Sequence, residues 1–192
     1  MVESDWSLLP AALDLVLAEV RAGRHTIVEC GSGQSTVAIG RLLAERGAGR
    51  LYSLEHDPRW LAETAARLER DAAGERVELL RAPLRDGWYD AAAVDRLPHA
   101  IDLLLVDGPP GDLAHDGQAR YPALSRLATR LAPGALVILD DIHRPGEREI
   151  VERWRREHGI DFALRPRERL AIGVFSATQD PAPAGTTSER GT

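Results

Sequence analysis

The run Ile27-Val28-Glu29-Cys30-Gly31-Ser32-Gly33-Gln34-Ser35-Thr36 carries an apolar strand through a glycine turn into a helix, which directs the chain towards an open α/β sheet. The two glycines let the backbone turn tightly and let a ligand come close to the main chain. The next strand-like run, Arg50 to Leu54, closes on Glu55. A carboxylate about 20 residues beyond such a turn stands where a ribose is recognised. Together these features predict a pocket for a nucleoside-bearing cofactor.

Charge separates the candidate cofactors. A dinucleotide sets a doubly negative pyrophosphate over the turn and favours a third glycine where the helix packs on the strand. Thr36 holds that third position, and Glu29 precedes the first glycine by two residues. A carboxylate there repels a pyrophosphate at short range. It suits S-adenosylmethionine, whose amino-acid end carries an ammonium beside a sulfonium. The plainer reading makes Glu29 a strand-end residue with no ligand.

The rest of the chain alternates helix and strand patterns. Leu9, Leu13, Val16, Leu17 and Val20 recur at helical spacing and predict an amphipathic helix over 7–22. Strands are expected near 25–30, 50–55, 76–81, 101–106 and 135–139. Helices are expected over about 35–46, from Pro58 towards Asp71, over 119–131 and over 147–158. Asp57 can cap the second of these helices, with Pro58 at its first position. The nearly unbroken apolar run Ile101 to Val106 reads as a strand covered on both faces. Residues 160–165 and 170–175 read as a closing hairpin. The expected fold is a Rossmann-like three-layer α/β/α sandwich, its mostly parallel sheet ending in an antiparallel hairpin strand. Residues 1–177 read as one domain. From Thr178 onward proline, glycine and threonine replace aliphatic anchors, so 178–192 reads as a disordered tail.

Glu29-Cys30-Gly31-Ser32-Gly33 resembles motif I of the class I S-adenosylmethionine-dependent methyltransferases. Leu54-Glu55-His56-Asp57-Pro58, Val106-Asp107-Gly108-Pro109-Pro110-Gly111 and the run Leu131 to Asp141 extend the match in order and spacing. Within that superfamily the chain is most similar to the small-molecule O-methyltransferases of the catechol and sugar type. The resemblance implies a cofactor pocket formed by Glu29, Gly31, Gly33, Ser35, Thr36, Glu55, His56, Ala82, Pro83 and Asp107.

Glu29, Glu55, Asp107 and Asp140 all fall at strand ends, where open α/β sheets bind ligands. Methyl transfer asks the protein to align an acceptor and manage its proton. Asp107 is the first candidate for that work; its plainer role is to organise the Gly108-Pro109-Pro110 turn. Asp140 and Asp141 end the neighbouring strand and can converge with Asp107, three hard oxygen donors that suit magnesium. The arrangement is similar to the metal site of catechol-type enzymes, with Asp140-Asp141 replacing their usual Asp-Asn. Otherwise Asp141 caps a turn and Asp140 holds backbone amides. His115 and His143 lie in adjoining loops, and His143 is the better candidate general base. Arg120 and Tyr121 can contact a hydroxylated or anionic acceptor, or simply anchor their loop. Trp6 and Trp88 can wall the acceptor pocket or fill the core.

Composition narrows the partners. A net charge of −6 and a pI near 5.5 argue against a nucleic-acid partner. The basic run Arg153-Trp154-Arg155-Arg156 reads as a solvated helix face with Trp154 turned inward. One cysteine excludes an internal disulfide and suits a reducing cytoplasm; Cys30 itself reads as a packing residue. No membrane-spanning run or signal peptide is visible. The expected partner is a small-molecule acceptor, and no pattern specifies an oligomeric state. Two other readings compete: an NAD(P)-dependent oxidoreductase on a Rossmann fold, and a non-catalytic cofactor-binding module.

Overall fold

The computed structural model describes residues 8–113 and 117–176. Trp6, His115 and the tail from Thr178 lie outside the described residues. The described chain forms α1 (Pro10–Arg21), β1 (Thr26–Cys30), α2 (Gln34–Arg46), β2 (Arg50–Glu55), α3 (Pro58–Arg70) and β3 (Val77–Arg81). There follow β4 (Leu84–Arg85), β5 (Trp88–Tyr89), α4 (Ala91–Val94), β6 (Ile101–Val106), α5 (Pro122–Leu127) and β7 (Leu131–Leu139). The described residues end in α6 (Pro145–His158), β8 (Phe162–Arg165) and β9 (Leu170–Phe175).

Seven strands make one sheet in the order β3-β2-β1-β6-β7-β9-β8. β3, β2, β1, β6 and β7 run parallel, and β9 returns antiparallel to β7 with β8 on its far side. Strand order reverses direction between β1 and β6, so the crevice beyond their carboxyl ends is the switch point where such sheets bind ligands. Alternation within the strands divides the core. Ile27, Leu51, Leu103, Leu105 and Ile138 pack with Ala12, Val16 and Val20 of α1 and with Ile39 and Leu43 of α2. Val28, Leu54, Leu104, Val106 and Val137 face α5 and α6, where Trp154 is fully buried. The Trp154 indole N–H donates to the Tyr121 carbonyl at 3.0 Å. Replacing a tryptophan so placed by alanine costs about 3–5 kcal/mol.

Local sequence explains most boundaries. Asp57 accepts from the backbone N–H groups of Arg59 (2.7 Å) and Trp60 (3.2 Å), capping α3 directly after β2. Three elements differ from the sequence expectation. The helix expected over 119–131 begins at Pro122, whose missing N–H suits a first-turn position, and tightens into a 3-10 turn over Ala128–Arg130. β7 starts at Leu131, because Leu131 pairs with Ile101 before the register shifts around the exposed Pro133-Gly134. Between β3 and β6 lies the added β4–β5 hairpin, closed by Asp86 (φ +50°) and Gly87 (φ +78°). An Asp-Gly pair with both φ angles positive is a favoured two-residue hairpin turn.

Candidate active site

At the switch point the strand ends enclose a cavity of about 370 Å³. Its lining includes Gly31, Ser32, Glu55, His56, Tyr89, Asp107, Arg120, Asp140, Asp141 and Arg144. The floor is two glycine loops in contact. Gly31, at φ +91°, would place a Cβ 3.1 Å from the Gly108 nitrogen. Bare backbone is therefore a steric condition for β1 and β6 to end side by side.

Glu55 ends β2 and is only 3 % exposed. Its Oε2 accepts from the Ser32 N–H and Ser32 Oγ, both at 2.9 Å, and its Oε1 from the Asp57 N–H at 2.8 Å. His56 Nδ1 stands 3.1 Å from Oε1. Burial alone would raise the pKa of Glu55, but the hydrogen bonds from His56, Asp57 and Ser32 outweigh it and hold the carboxyl below its ordinary value. The same contact raises the pKa of His56. Glu55 is thus a fixed anion at the cavity wall.

Asp107, Asp140 and Asp141 come together as the strand ends predict, each able to offer an oxygen within 4.8 Å of the others. Arg120 lies among them, 3 % exposed. Its guanidinium donates to the carbonyls of Pro109 and Asp140, both at 3.2 Å. It also pairs with Asp107 at 3.5 Å, Asp141 at 3.2 Å and Glu147 at 3.8 Å. Arg144 pairs with Asp141 at 3.3 Å. Burial and the charges of Asp107 and Asp141 raise Asp140 to about 8. Burial also raises Asp107, against the pull of Arg120. Arg120 lines the cavity, but its donors are engaged by these internal carboxylates and carbonyls.

Other predicted residues lie elsewhere. Glu29 is fully buried beneath the turn and does not line the cavity. Alternation puts it on the Ile27 side of β1, towards α2. There it accepts from Ser35 Oγ, from Thr36 Oγ1 at 2.6 Å and from Ser53 Oγ at 2.8 Å. Thr36 Oγ1 in turn accepts from the Gly33 N–H at 2.8 Å. Burial raises the Glu29 carboxyl to about 7 despite these three donors. Gly33, Ser35, Thr36, Ala82 and Pro83 likewise stay out of the lining. Tyr121 turns away: its hydroxyl donates to Glu157 at 2.7 Å and its ring lies 3.4 Å beneath the Arg153 guanidinium. His143 stands outside the lining, its Nδ1 3.6 Å from Asp141, and burial lowers its pKa. Trp88 is buried in the core. Cys30 is fully buried too, and burial pushes its thiol pKa far up.

Sequence reasoning overlooks Trp60, Tyr89 and Arg144 as parts of the wall. Trp60 donates its indole N–H to the Ser32 carbonyl at 2.6 Å, joining α3 to the glycine turn. Tyr89 arrives on the hairpin, and its sequence signal is the Asp86-Gly87 turn.

The profile of a family described as a methyltransferase domain matches residues 28–142. No curated protein matches the sequence significantly. Among solved structures, the chain is similar to an O-methyltransferase from Bacillus cereus in complex with SAH: 18 % identity, TM-score 0.66, covering 90 % of this chain and 84 % of that one. It is similar to the O-methyltransferase TomG from Streptomyces achromogenes, involved in tomaymycin synthesis and bound to SAM: 19 % identity, TM-score 0.62, covering 91 % and 83 %. SAH-bound methyltransferase PaMTH1 from Podospora anserina gives 15 % identity and a TM-score of 0.62, covering 92 % of both chains. These likenesses establish a shared fold. No helix among the described residues is long and apolar enough to cross a membrane.

Proposed function

The chain belongs to the methyltransferase-domain family, and from that premise we propose that it is an S-adenosylmethionine-dependent methyltransferase acting on an oxygen of a small molecule, a phenol or sugar hydroxyl. The observation that carries this reading is the meeting of the glycine floor, Glu55 and the Asp107–Asp140–Asp141 cluster on one cavity. The similar folds from Bacillus cereus and Streptomyces achromogenes are O-methyltransferases with SAH and SAM bound.

The residues fit such a cofactor. Glu55 is an ionised carboxylate held in place, suited to accept from two ribose hydroxyls, with His56 beside the adenine. Gly31 and Gly108 offer open backbone to the amino-acid end. Asp107 supplies negative charge near an ammonium. Glu29 serves from below, tying α2 to β1 through Ser35 and Thr36 so that the glycine turn keeps its shape. The bound cofactor supplies an electrophilic methyl group.

The protein's own work is to hold the acceptor and take its proton. His143, with its lowered pKa, is neutral near pH 7 and can act as base from beside Asp141; Asp107 is the alternative. Magnesium also fits the donor set. Four carboxylates, those of Asp107, Asp140, Asp141 and Glu147, face the two guanidiniums of Arg120 and Arg144. Fully ionised, they leave the charge that one divalent cation balances. Held by the three aspartates, the metal would lower the acceptor's pKa as a Lewis acid.

Calorimetry tests the reading. S-adenosylhomocysteine should bind tightly and nicotinamide dinucleotides weakly; the opposite order rejects it. The oxidoreductase alternative loses support because the matched family is a methyltransferase domain.

A further inference from the structure

Among the described residues Arg120 is the one basic side chain that the fold buries, and it is buried inside the aspartate cluster. A guanidinium withdrawn from water is tolerated only where carboxylates and carbonyls surround it. Here they come from three segments. The carbonyls of Pro109 and Asp140 each accept at 3.2 Å, and the carboxylates of Asp107, Asp141 and Glu147 stand at 3.5, 3.2 and 3.8 Å. Successive side chains of an extended strand point to opposite faces. Asp141 leaves that pattern at φ +65°, in the left-handed region that aspartate tolerates, and its carboxylate joins that of Asp140. Arg120 braces both residues of this turn, through the Asp140 carbonyl and the Asp141 carboxylate. The cluster is thus held together by a cation of the protein's own.

Resting on the reading of the three aspartates as a magnesium site, we infer that Arg120 is a built-in competitor of the metal. It keeps the cluster assembled without an ion, and it makes a bound ion weakly held and exchangeable. The two carbonyl contacts fix the guanidinium in place, so an arriving ion meets a positive charge beside two of its three ligands. Like charges a few ångströms apart repel strongly where little water screens them. The guanidinium also engages Asp107 Oδ1 and Asp141 Oδ2, oxygens that a metal would otherwise have to itself. Arg144, the second guanidinium at Asp141, is placed differently. Its side chain is 34 % exposed, and solvent screens its charge. Burial therefore gives Arg120 the larger hold on metal affinity.

The test is calorimetry of magnesium and of manganese, each alone at pH 8, on wild type, Arg120→Gln, Arg120→Met, Arg120→Lys and Arg144→Met. Arg120→Gln keeps an amide that can still meet the Pro109 and Asp140 carbonyls, so it guards against a variant that fails to fold. Arg120→Gln and Arg120→Met should bind either ion about tenfold more tightly than wild type, or better. Arg120→Lys keeps the charge and should stay within about threefold. Arg144→Met should gain less than Arg120→Gln. Thermal melts give a second readout. Wild type should melt at nearly the same temperature with and without magnesium. Arg120→Gln should melt lower without it and recover most of the difference when it is added, because the ion replaces the missing charge. A merely structural role for Arg120 predicts the reverse, a scattered cluster that binds metal more weakly and is not rescued by it. Weaker or unchanged metal binding in Arg120→Gln and Arg120→Met, or an equal gain in Arg144→Met, would overturn the inference. No metal binding by any of these proteins, with S-adenosylhomocysteine still bound, would reject the magnesium reading and this inference with it.

Discussion

Gly31 and Gly108 touch: a Cβ on Gly108 would stand 2.9 Å from Gly31 Cα and 3.1 Å from its nitrogen. The two residues are the first beyond β1 and the second beyond β6, so their contact fixes how closely the two strand ends approach. The cavity floor, the Asp107 carboxylate and the Tyr89 hydroxyl all depend on that spacing.

Gly108→Ala is therefore expected to push the loops apart and lower stability by about 1–3 kcal/mol, the usual effect of overpacking. Cofactor affinity should fall with it. Urea unfolding and calorimetry on the same preparation check both effects. A variant as stable as wild type with unchanged affinity would show that the floor yields easily.

Glu29 makes stability depend on pH. Its folded pKa, about 7, lies above the ordinary 4.5. The folded state thus keeps a proton that the unfolded state has released. Stability is fullest below about 4.5 and declines as pH rises towards 7, by roughly 3 kcal/mol for this group. Glu29→Gln cannot ionise, so its urea midpoint should vary less over that window. An identical slope in wild type and variant would remove Glu29 as the source.

How much of this is legible in the sequence depends on the range of the forces involved. β2 and β6, at Arg50–Glu55 and Ile101–Val106, are readable because apolar runs bounded by polar turns are local patterns. The meeting of Asp107 with Asp140 and Asp141 is readable because strand ends in a parallel sheet share one edge. The direction of Glu29 is less so, since every residue from Ile27 to Cys30 is buried and polarity does not mark a face. Its signal is the set of hydroxyls on Ser35, Thr36 and Ser53, which needs the register of β1 with β2 to be known. Arg120 is harder still. Its position before Pro122 announces a loop, whereas its five carboxylate and carbonyl neighbours come from three other segments.

Arg120→Met should destabilise the protein by about 3–5 kcal/mol near neutral pH, because it leaves buried carboxylates without their cation. With the guanidinium gone, those carboxyls hold their protons more tightly in the folded state. The deficit should therefore shrink as pH falls towards 5. Arg120→Lys should recover part of the loss, as one ammonium cannot span the contacts to Asp107, Asp141 and Glu147. Thermal melts at pH 5 and pH 8 read both trends; a deficit independent of pH would point to packing alone.

The aspartate cluster decides the mechanism. If Asp107, Asp140 and Asp141 hold magnesium, Asp107→Ala and Asp140→Ala should reduce turnover at least a hundredfold while S-adenosylhomocysteine affinity changes little for Asp140→Ala. Asp141→Asn should be milder, because its amide oxygen can still coordinate. Chelator should suppress turnover and added magnesium restore it. The charge argument gives a separate readout. A cation at the cluster would favour ionised Asp140, whose carboxyl burial and its neighbours otherwise raise to about 8. Magnesium affinity should thus rise between pH 6 and pH 8 as the competing proton leaves, and calorimetry of the metal alone can follow it. Turnover of a genuine acceptor that is indifferent to chelator would sink the metal. The proton would then pass to Asp107 or His143, and a pH–rate profile separates them. Loss of the acid limb on His143→Ala identifies the imidazole, whose lowered pKa sets that limb below pH 6.5.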